Sequence, residues 1–255
     1  MKYLFAITMV LFLFIFLSCE DKLNINTYKN TYYDDISDIT YLNNSFYTTN
    51  YDLSDNAGSQ VDLIVLGLND NGSYLDDKFA LELNGQGYFS ITNDGTDLYL
   101  QSRTTQLIFK VSAIGELSYA KYDSLDTHWL PSGITYNVNN DSIISLYRNQ
   151  NSNNQYRLRV ISKDVAESSH RDVLFDINDI DTTYHGIYSV AYANTNLYML
   201  AVKENEDVLV TMSYEDLTLQ STETIGDSTV VGIAIFDNSI YISYRDKRIE
   251  KFREL

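Results

Sequence analysis

One pattern recurs five times along this chain, and it limits the fold more than any other feature. A small or polar residue is followed by a β-branched apolar residue, Thr or Ala, a few turn residues containing Asn or Asp, and then an apolar residue and Tyr. The copies run Asp38-Ile39-Thr40 to Phe46-Tyr47, Ser90-Ile91-Thr92 to Leu98-Tyr99, Ser189-Val190-Ala191 to Leu197-Tyr198, and Gly232-Ile233-Ala234 to Ile240-Tyr241. In these four, Tyr stands eight residues after the β-branched position. A looser copy starts at Gly133-Ile134-Thr135 and reaches Ile144 after ten residues, without the Tyr. The β-branched positions 39, 91, 134, 190 and 233 are separated by 52, 43, 56 and 43 residues.

Each copy reads as two strands joined by a tight turn, because β-branched and aromatic runs alternate with Asn, Asp, Gly and Ser clusters. Third strands are expected over 61–66, 106–111, 156–161, 208–212 and 248–252. More polar fourth strands are expected near 74–83, 117–122, 172–177 and 217–224. Four short strands per repeat of this length imply an all-β propeller of about five four-stranded blades; a β-sandwich is the alternative. The fifth repeat lacks a fourth strand. Residues Leu23–Tyr33 are expected to supply it, so that the N-terminal segment closes the last blade and no sheet edge is left bare. Small residues at positions 90, 133, 189 and 232 suit the crowded axis, and the second-strand tyrosines suit burial between sheets with the phenol reaching a polar group.

The copy Ser90–Leu100, followed by Ile108-Phe109-Lys110-Val111 and Gly115, resembles the loosely defined NHL- or WD40-like propeller repeats. The WD dipeptide itself is absent. The resemblance covers most of the chain beyond residue 35 and implies a fold; it brings no activity with it.

The N-terminus carries a second signal. Lys2 precedes an almost wholly apolar run from Tyr3 to Leu17, and polarity returns at Glu20-Asp21-Lys22. That run is shorter than the ~20 residues of a membrane-spanning helix and fits a signal-peptide core. Phe16-Leu17-Ser18-Cys19 resembles the lipobox of bacterial lipoproteins, although Phe and Leu depart from its usual first two residues. The resemblance implies cleavage before Cys19, acylation of Cys19 with palmitate-type chains and attachment of the domain to a membrane of the bacterial cell envelope, outside the cytoplasm. An uncleaved N-terminal anchor is the other reading. The expected organisation is a signal peptide over 1–18, a lipidated Cys, tether and closing strand over 19–35, and a propeller over 36–255. Cys19 is the only cysteine, so no internal disulfide is available.

The net charge of −17 argues against nucleic acid as a partner. No phosphate loop, HExxH, CxxC, GxSxG or EF-hand pattern is present, and neither a metal nor another cofactor is expected. The acidic pairs Asp34-Asp35, Asp76-Asp77 and Asp179-Ile180-Asp181 suit exposed turns better than calcium.

A binding site is suggested by position alone. In a propeller, the loops that enter each innermost strand gather around the axis on one face. Here they carry Tyr33-Asp34, Gly85-Gln86, His128-Trp129, Tyr184-His185 and Asp227-Ser228. Asp34, Gln86, His128, Trp129, Tyr184, His185 and Asp227 would form an aromatic and acidic rim suited to a glycan or a peptide. The middle-strand loops with Arg103, Arg148, Glu204 and Arg245 are expected on the same face. Trp129 and Tyr184 can equally fill grooves between blades. The expected function is therefore a lipid-anchored binding module for a glycan, peptide or envelope protein. Two alternatives stand beside it: a carboxylate hydrolase acting on glycosides in the propeller funnel through Asp34, Asp38, Asp126 or Asp227, and a structural envelope-assembly protein.

Overall fold

The computed structural model describes residues 36–50, 61–68, 74–75, 78–81, 89–102, 106–122, 127–152, 154–163, 171–226, 230–245 and 248–255. Within them the chain forms five antiparallel sheets, each a run of neighbouring strands laid down in sequence order. The first contains β1 (Ile36–Leu42), β2 (Ser45–Asn50), β3 (Val61–Leu68) and two short strands, β4 (Tyr74–Leu75) and β5 (Lys78–Leu81), that both pair with β3. The second contains β6 (Phe89–Asn93), β7 (Asp97–Ser102), β8 (Leu107–Ser112) and β9 (Leu117–Tyr122). The third contains β10 (Trp129–Asn137), β11 (Ser142–Asn149), β12 (Gln155–Ser162) and β13 (Arg171–Asp176). The fourth contains β14 (Tyr184–Ala193), β15 (Asn196–Lys203), β16 (Glu206–Ser213) and β17 (Leu219–Thr224). The fifth contains β18 (Val230–Phe236), β19 (Ser239–Tyr244) and β20 (Ile249–Glu254).

The first strands of the five sheets pack in a closed cycle: β1 on β6, β6 on β10, β10 on β14, β14 on β18, and β18 back on β1. A ring of radial, sequential, antiparallel sheets is a β-propeller. The strands expected within the five repeats fall where the structure has them, to within a few residues at each end.

Turn chemistry explains the hairpins at the start of the repeats. Asn43-Asn44, Asn194-Thr195 and Asp237-Asn238 all have positive φ at both central residues, the geometry of a type I′ turn, whose twist matches that of the strands it joins. Asn and Asp tolerate that region better than other non-glycine residues. The second hairpin turns instead through Gly95, at φ 89°.

Strand alternation explains the core. The five β-branched repeat positions are all buried, at 1–3 % exposure. Each shares an apolar cluster with the preceding sheet: Ile39 with Ala234 and Ile249, Ile91 with Leu42 and Tyr47, Ile134 with Tyr99 and Ile108, Val190 with Ile144 and Leu146, Ile233 with Tyr198 and Leu200. Burial of each such side chain contributes about 1.5–3 kcal/mol, so one recurrent position sews all five blades together. Tyr47, Tyr99 and Tyr198 are buried as expected; the Tyr47 hydroxyl donates to the Ala113 carbonyl (3.4 Å) and that of Tyr99 to Asp94 (3.0 Å).

The fifth sheet meets the first through aromatic rings. Tyr41 stacks on Phe236 with centroids 3.5 Å apart, and Phe46 meets Tyr241 edge-on at 5.2 Å. The proposed pairing of Leu23–Tyr33 with residues 248–252 lies outside the described residues, as do the leader and Cys19.

Candidate functional site

Two layers of the innermost strands shape the axis. The first layer holds Asp38, Ser90, Gly133, Ser189 and Gly232. In four of the five strands the residue just before it is skipped in the ladder: Ser37, Ser132, Tyr188 and Val231. Such a bulge increases local twist and bends the strand, and here it recurs at the same step of the repeat. The layer leaves little room. A Cβ on Gly133 would come within 3.0 Å of Val190 Cγ1, and a Cβ on Gly232 within 2.6 Å of Asp38 Oδ1 and 2.7 Å of Asp38 Cα.

Asp38 is 1 % exposed. Its Oδ1 accepts the backbone N–H of Ile39 and the hydroxyl of Ser189, each at 3.0 Å, and its Oδ2 accepts the N–H of Ile91 at 3.2 Å. The carboxylate therefore binds the first, second and fourth sheets at once. Burial and these three bonds make it a structural anchor of the ring, and they withdraw it from the role of funnel acid.

The second layer opens toward the β1–β2, β6–β7, β10–β11, β14–β15 and β18–β19 turns. Three successive residues from each innermost strand line a cavity of about 190 Å³. Its base is the ring of β-branched residues already described. Its wall is Thr40, Thr92, Thr135, Ala191 and Ala234, and its mouth is Tyr41, Asn93, Tyr136, Tyr192 and Ile235, with Val138 beside it. Five strands contributing the same three repeat positions is a fivefold device that only ring closure creates.

The lining is neutral and polar. Asn93 Nδ2 donates to Thr40 Oγ1 (2.6 Å) and to the Tyr41 carbonyl (2.9 Å); Thr135 Oγ1 accepts the Tyr192 N–H (2.9 Å); Asn139 Nδ2 donates to the Tyr192 hydroxyl (2.8 Å). Phenol ionisation at the mouth is disfavoured. Burial, Tyr241 and Asp237 push the Tyr41 pKa up. Burial and the Asp141 carboxylate push Tyr136 up to about 12. Both remain hydrogen-bond donors at neutral pH.

One side of the mouth carries an ionic cluster. Lys163, just past the end of β12, lies 2.9 Å from Asp141 and 3.4 Å from Asp94, so it links the turn of the third sheet to that of the second. Tyr136 donates to Asp141 at 2.5 Å. Burial raises the Asp94 carboxyl pKa, but the N–H groups of Asp97 and Thr96, the Tyr99 hydroxyl and Lys163 outweigh it, and the net shift is downward.

The rim expected from sequence stands at the opposite ends of the same strands. Trp129 pairs with Asn149, and Tyr184 with Lys203, so the entering loops and the loops near Arg148 and Glu204 do share a face. The two aromatic faces are covered. Trp129 is 4 % exposed, packs on Tyr147, has the Arg157 guanidinium 4.4 Å from its ring centroid and receives Gln106 Nε2 on its carbonyl. Tyr184 is 2 % exposed, with its hydroxyl 2.8 Å from Thr222 Oγ1. His128 is half-buried and His185 exposed. Asp34, Gln86, Asp126 and Asp227 lie outside the described residues. Among the described residues no group of three His, Cys, Asp or Glu is placed to hold a metal ion.

No protein-family model matches the sequence, and no curated protein is similar to it. Solved structures do share its shape. A glutaminyl cyclase of Myxococcus xanthus has a TM-score of 0.55 at 13% identity, over 85% of this chain and 88% of that one. A nidogen/laminin complex has a TM-score of 0.55 at 9% identity, over 83% and 73%. A luciferin-regenerating enzyme has a TM-score of 0.52 at 9% identity, over 84% of each. The chain has the β-propeller fold. At these identities the likeness concerns the backbone alone, and the three proteins differ too much in their named roles for the fold to transmit one.

Sequence reasoning placed interest on the loops that enter the innermost strands and overlooked the cavity at their exits. The signal was available: Thr40, Thr92 and Thr135 occupy one repeat position, and hydroxyls facing a propeller axis are a polar lining.

Proposed function

We propose that this chain is a lipid-anchored binding module of the bacterial cell envelope, tethered through Cys19, that captures one neutral hydroxyl- or amide-bearing group of a glycan or peptide in its axial cavity. The lining carries this reading: threonine hydroxyls, an asparagine amide and tyrosine phenols converge there, and none of the described residues that line it carries a carboxylate, imidazole or ammonium group. Such a set pairs with neutral polar ligands and offers no acid–base pair for hydrolysis. The size supports a single group, since about 190 Å³ is below the ~300–1,000 Å³ typical of pockets for drug-sized ligands. A terminal sugar or amide end of a larger molecule fits that scale, with the remainder outside.

Two measurements test it. Glycan- and peptide-array binding of the full chain should show a neutral ligand that is lost when Ala234→Leu fills the wall while circular dichroism and the melting transition persist. Array signals identical for the two proteins would remove the cavity from the function. Labelling with a palmitate analogue in a bacterial host should modify the chain and should fail in Cys19→Ser; equal labelling of both would remove the anchor.

A further inference from the structure

A second surface lies on the outer wall of the ring, between the third and fourth sheets. It is a groove of about 520 Å³ between β13 and the turn joining β16 to β17. Its floor includes Phe175, Ile180 and Met212, which belong to or pack on the apolar cluster between these sheets. Leu219 pairs with Met212, so it shares that face, and it stands exposed at the lip at 44 %. It is one of five large exposed apolar side chains among the described residues. An exposed leucine beside an apolar floor is an arrangement that recognition surfaces share.

Among the described residues four carboxylates also line the groove, and no Lys or Arg does. Asp176 and Asp216 are engaged locally: Asp176 accepts the Asn178 N–H at 2.9 Å, and Asp216 accepts the Thr218 hydroxyl at 2.8 Å. Asp179 and Glu215 are exposed and take part in no ion pair among the described residues. The groove thus combines an apolar floor and an apolar lip with negative charge on both sides.

We infer that this groove docks an extended, cationic amphipathic segment of a partner protein, with alternate apolar side chains on the floor and against Leu219 and the intervening Lys or Arg side chains against Asp179 and Glu215. Charge complementarity selects the sign of the partner. The period of two in an extended chain sends neighbouring side chains to opposite sides, matching an apolar floor with acidic flanks. Residues 173–176 of β13 would accompany about four residues of such a segment, at ~3.3 Å per residue. β13 is the outermost strand of its sheet among the described residues, so the segment can also lie along its edge.

Fluorescence anisotropy with a labelled peptide of alternating lysine and valine, and one of alternating glutamate and valine, tests this on the full chain. The lysine peptide should bind more tightly, and its affinity should weaken as salt is raised. The double variant Asp179→Lys, Glu215→Lys should lose about tenfold or more in affinity. The charge-matched variant Glu116→Lys, Glu206→Lys, at exposed positions elsewhere, should lose much less. Leu219→Ser, on an exposed residue whose loss leaves the core intact, should weaken binding about threefold or more. Equal binding of the two peptides, or equal losses in the two lysine variants, would overturn the inference, because attraction would then follow net charge and not the groove.

Discussion

Asp38 Oδ1 accepts the Ser189 hydroxyl at 3.0 Å across 151 residues of sequence, joining the first and fourth sheets. A buried carboxylate that satisfies two backbone N–H groups and a hydroxyl leaves several donors without partners when it is removed. Asp38→Ala is therefore expected to lower stability by about 3 kcal/mol or more, at ~1–3 kcal/mol for each of the orphaned donors, and Ser189→Ala by about 1 kcal/mol. Urea unfolding of the two single variants and the double should show a coupling of about 0.5 kcal/mol or more. Strict additivity would show that the contact contributes nothing.

Gly232 and Gly133 occupy the same repeat position but tolerate a methyl group differently. At Gly232 the new Cβ meets Asp38 Oδ1 at 2.6 Å and Asp38 Cα at 2.7 Å; at Gly133 the closest atom is a Val190 methyl at 3.0 Å. Gly232→Ala should cost about 2–3 kcal/mol and Gly133→Ala about 1 kcal/mol, within the range for overpacked cores. Adding Asp38→Ala should not rescue Gly232→Ala, since the backbone of residue 38 is itself in the way. Thermal melts of the three proteins decide the order.

The Asp94–Lys163–Asp141 cluster predicts an acid-sensitive seam between the second and third sheets. The folded-state pKa of Asp94 lies below its ordinary value of 3.8. Its contribution is thus complete above that value and is lost as pH falls through the depressed one. The stability difference between the natural chain and Asp94→Asn should stay level above about pH 5 and close as pH drops below 3.8. A difference that widens in acid would reverse the assigned sign.

Trp129 is the only tryptophan and is 4 % exposed. Its fluorescence should be blue-shifted and poorly quenched by iodide in the native state, and should redden on unfolding. Trp129→Ala should cost about 3–5 kcal/mol, since it empties a packed site. Ready iodide quenching in the native chain would place the ring at the surface and restore the aromatic rim.

The strand order, the hairpin turns and the apolar seam between blades were readable before any coordinates. Positions 39, 91, 134, 190 and 233 announced themselves because β-branched side chains repeat at an interval that only stacked sheets reward. Asn and Asp in the turns did so because type I′ geometry needs positive φ. The candidate rim was read from loop position, which says where a residue begins a strand but not which way its ring turns. Trp129 folds under Arg157, and Tyr184 under Lys203, through contacts with strands that follow them in the chain.

By itself, then, the sequence determined the architecture, because a repeated local pattern needs only its own periodicity and turn chemistry to specify a blade. The tertiary structure alone decided what the axis does. The cavity wall, the Asp38–Ser189 bond and the close approach of Gly232 to Asp38 each depend on residues from different blades meeting within a few ångströms. Such proximity comes from the bulges that bend the innermost strands and from the closing of the ring, and neither is encoded in the spacing of any single repeat.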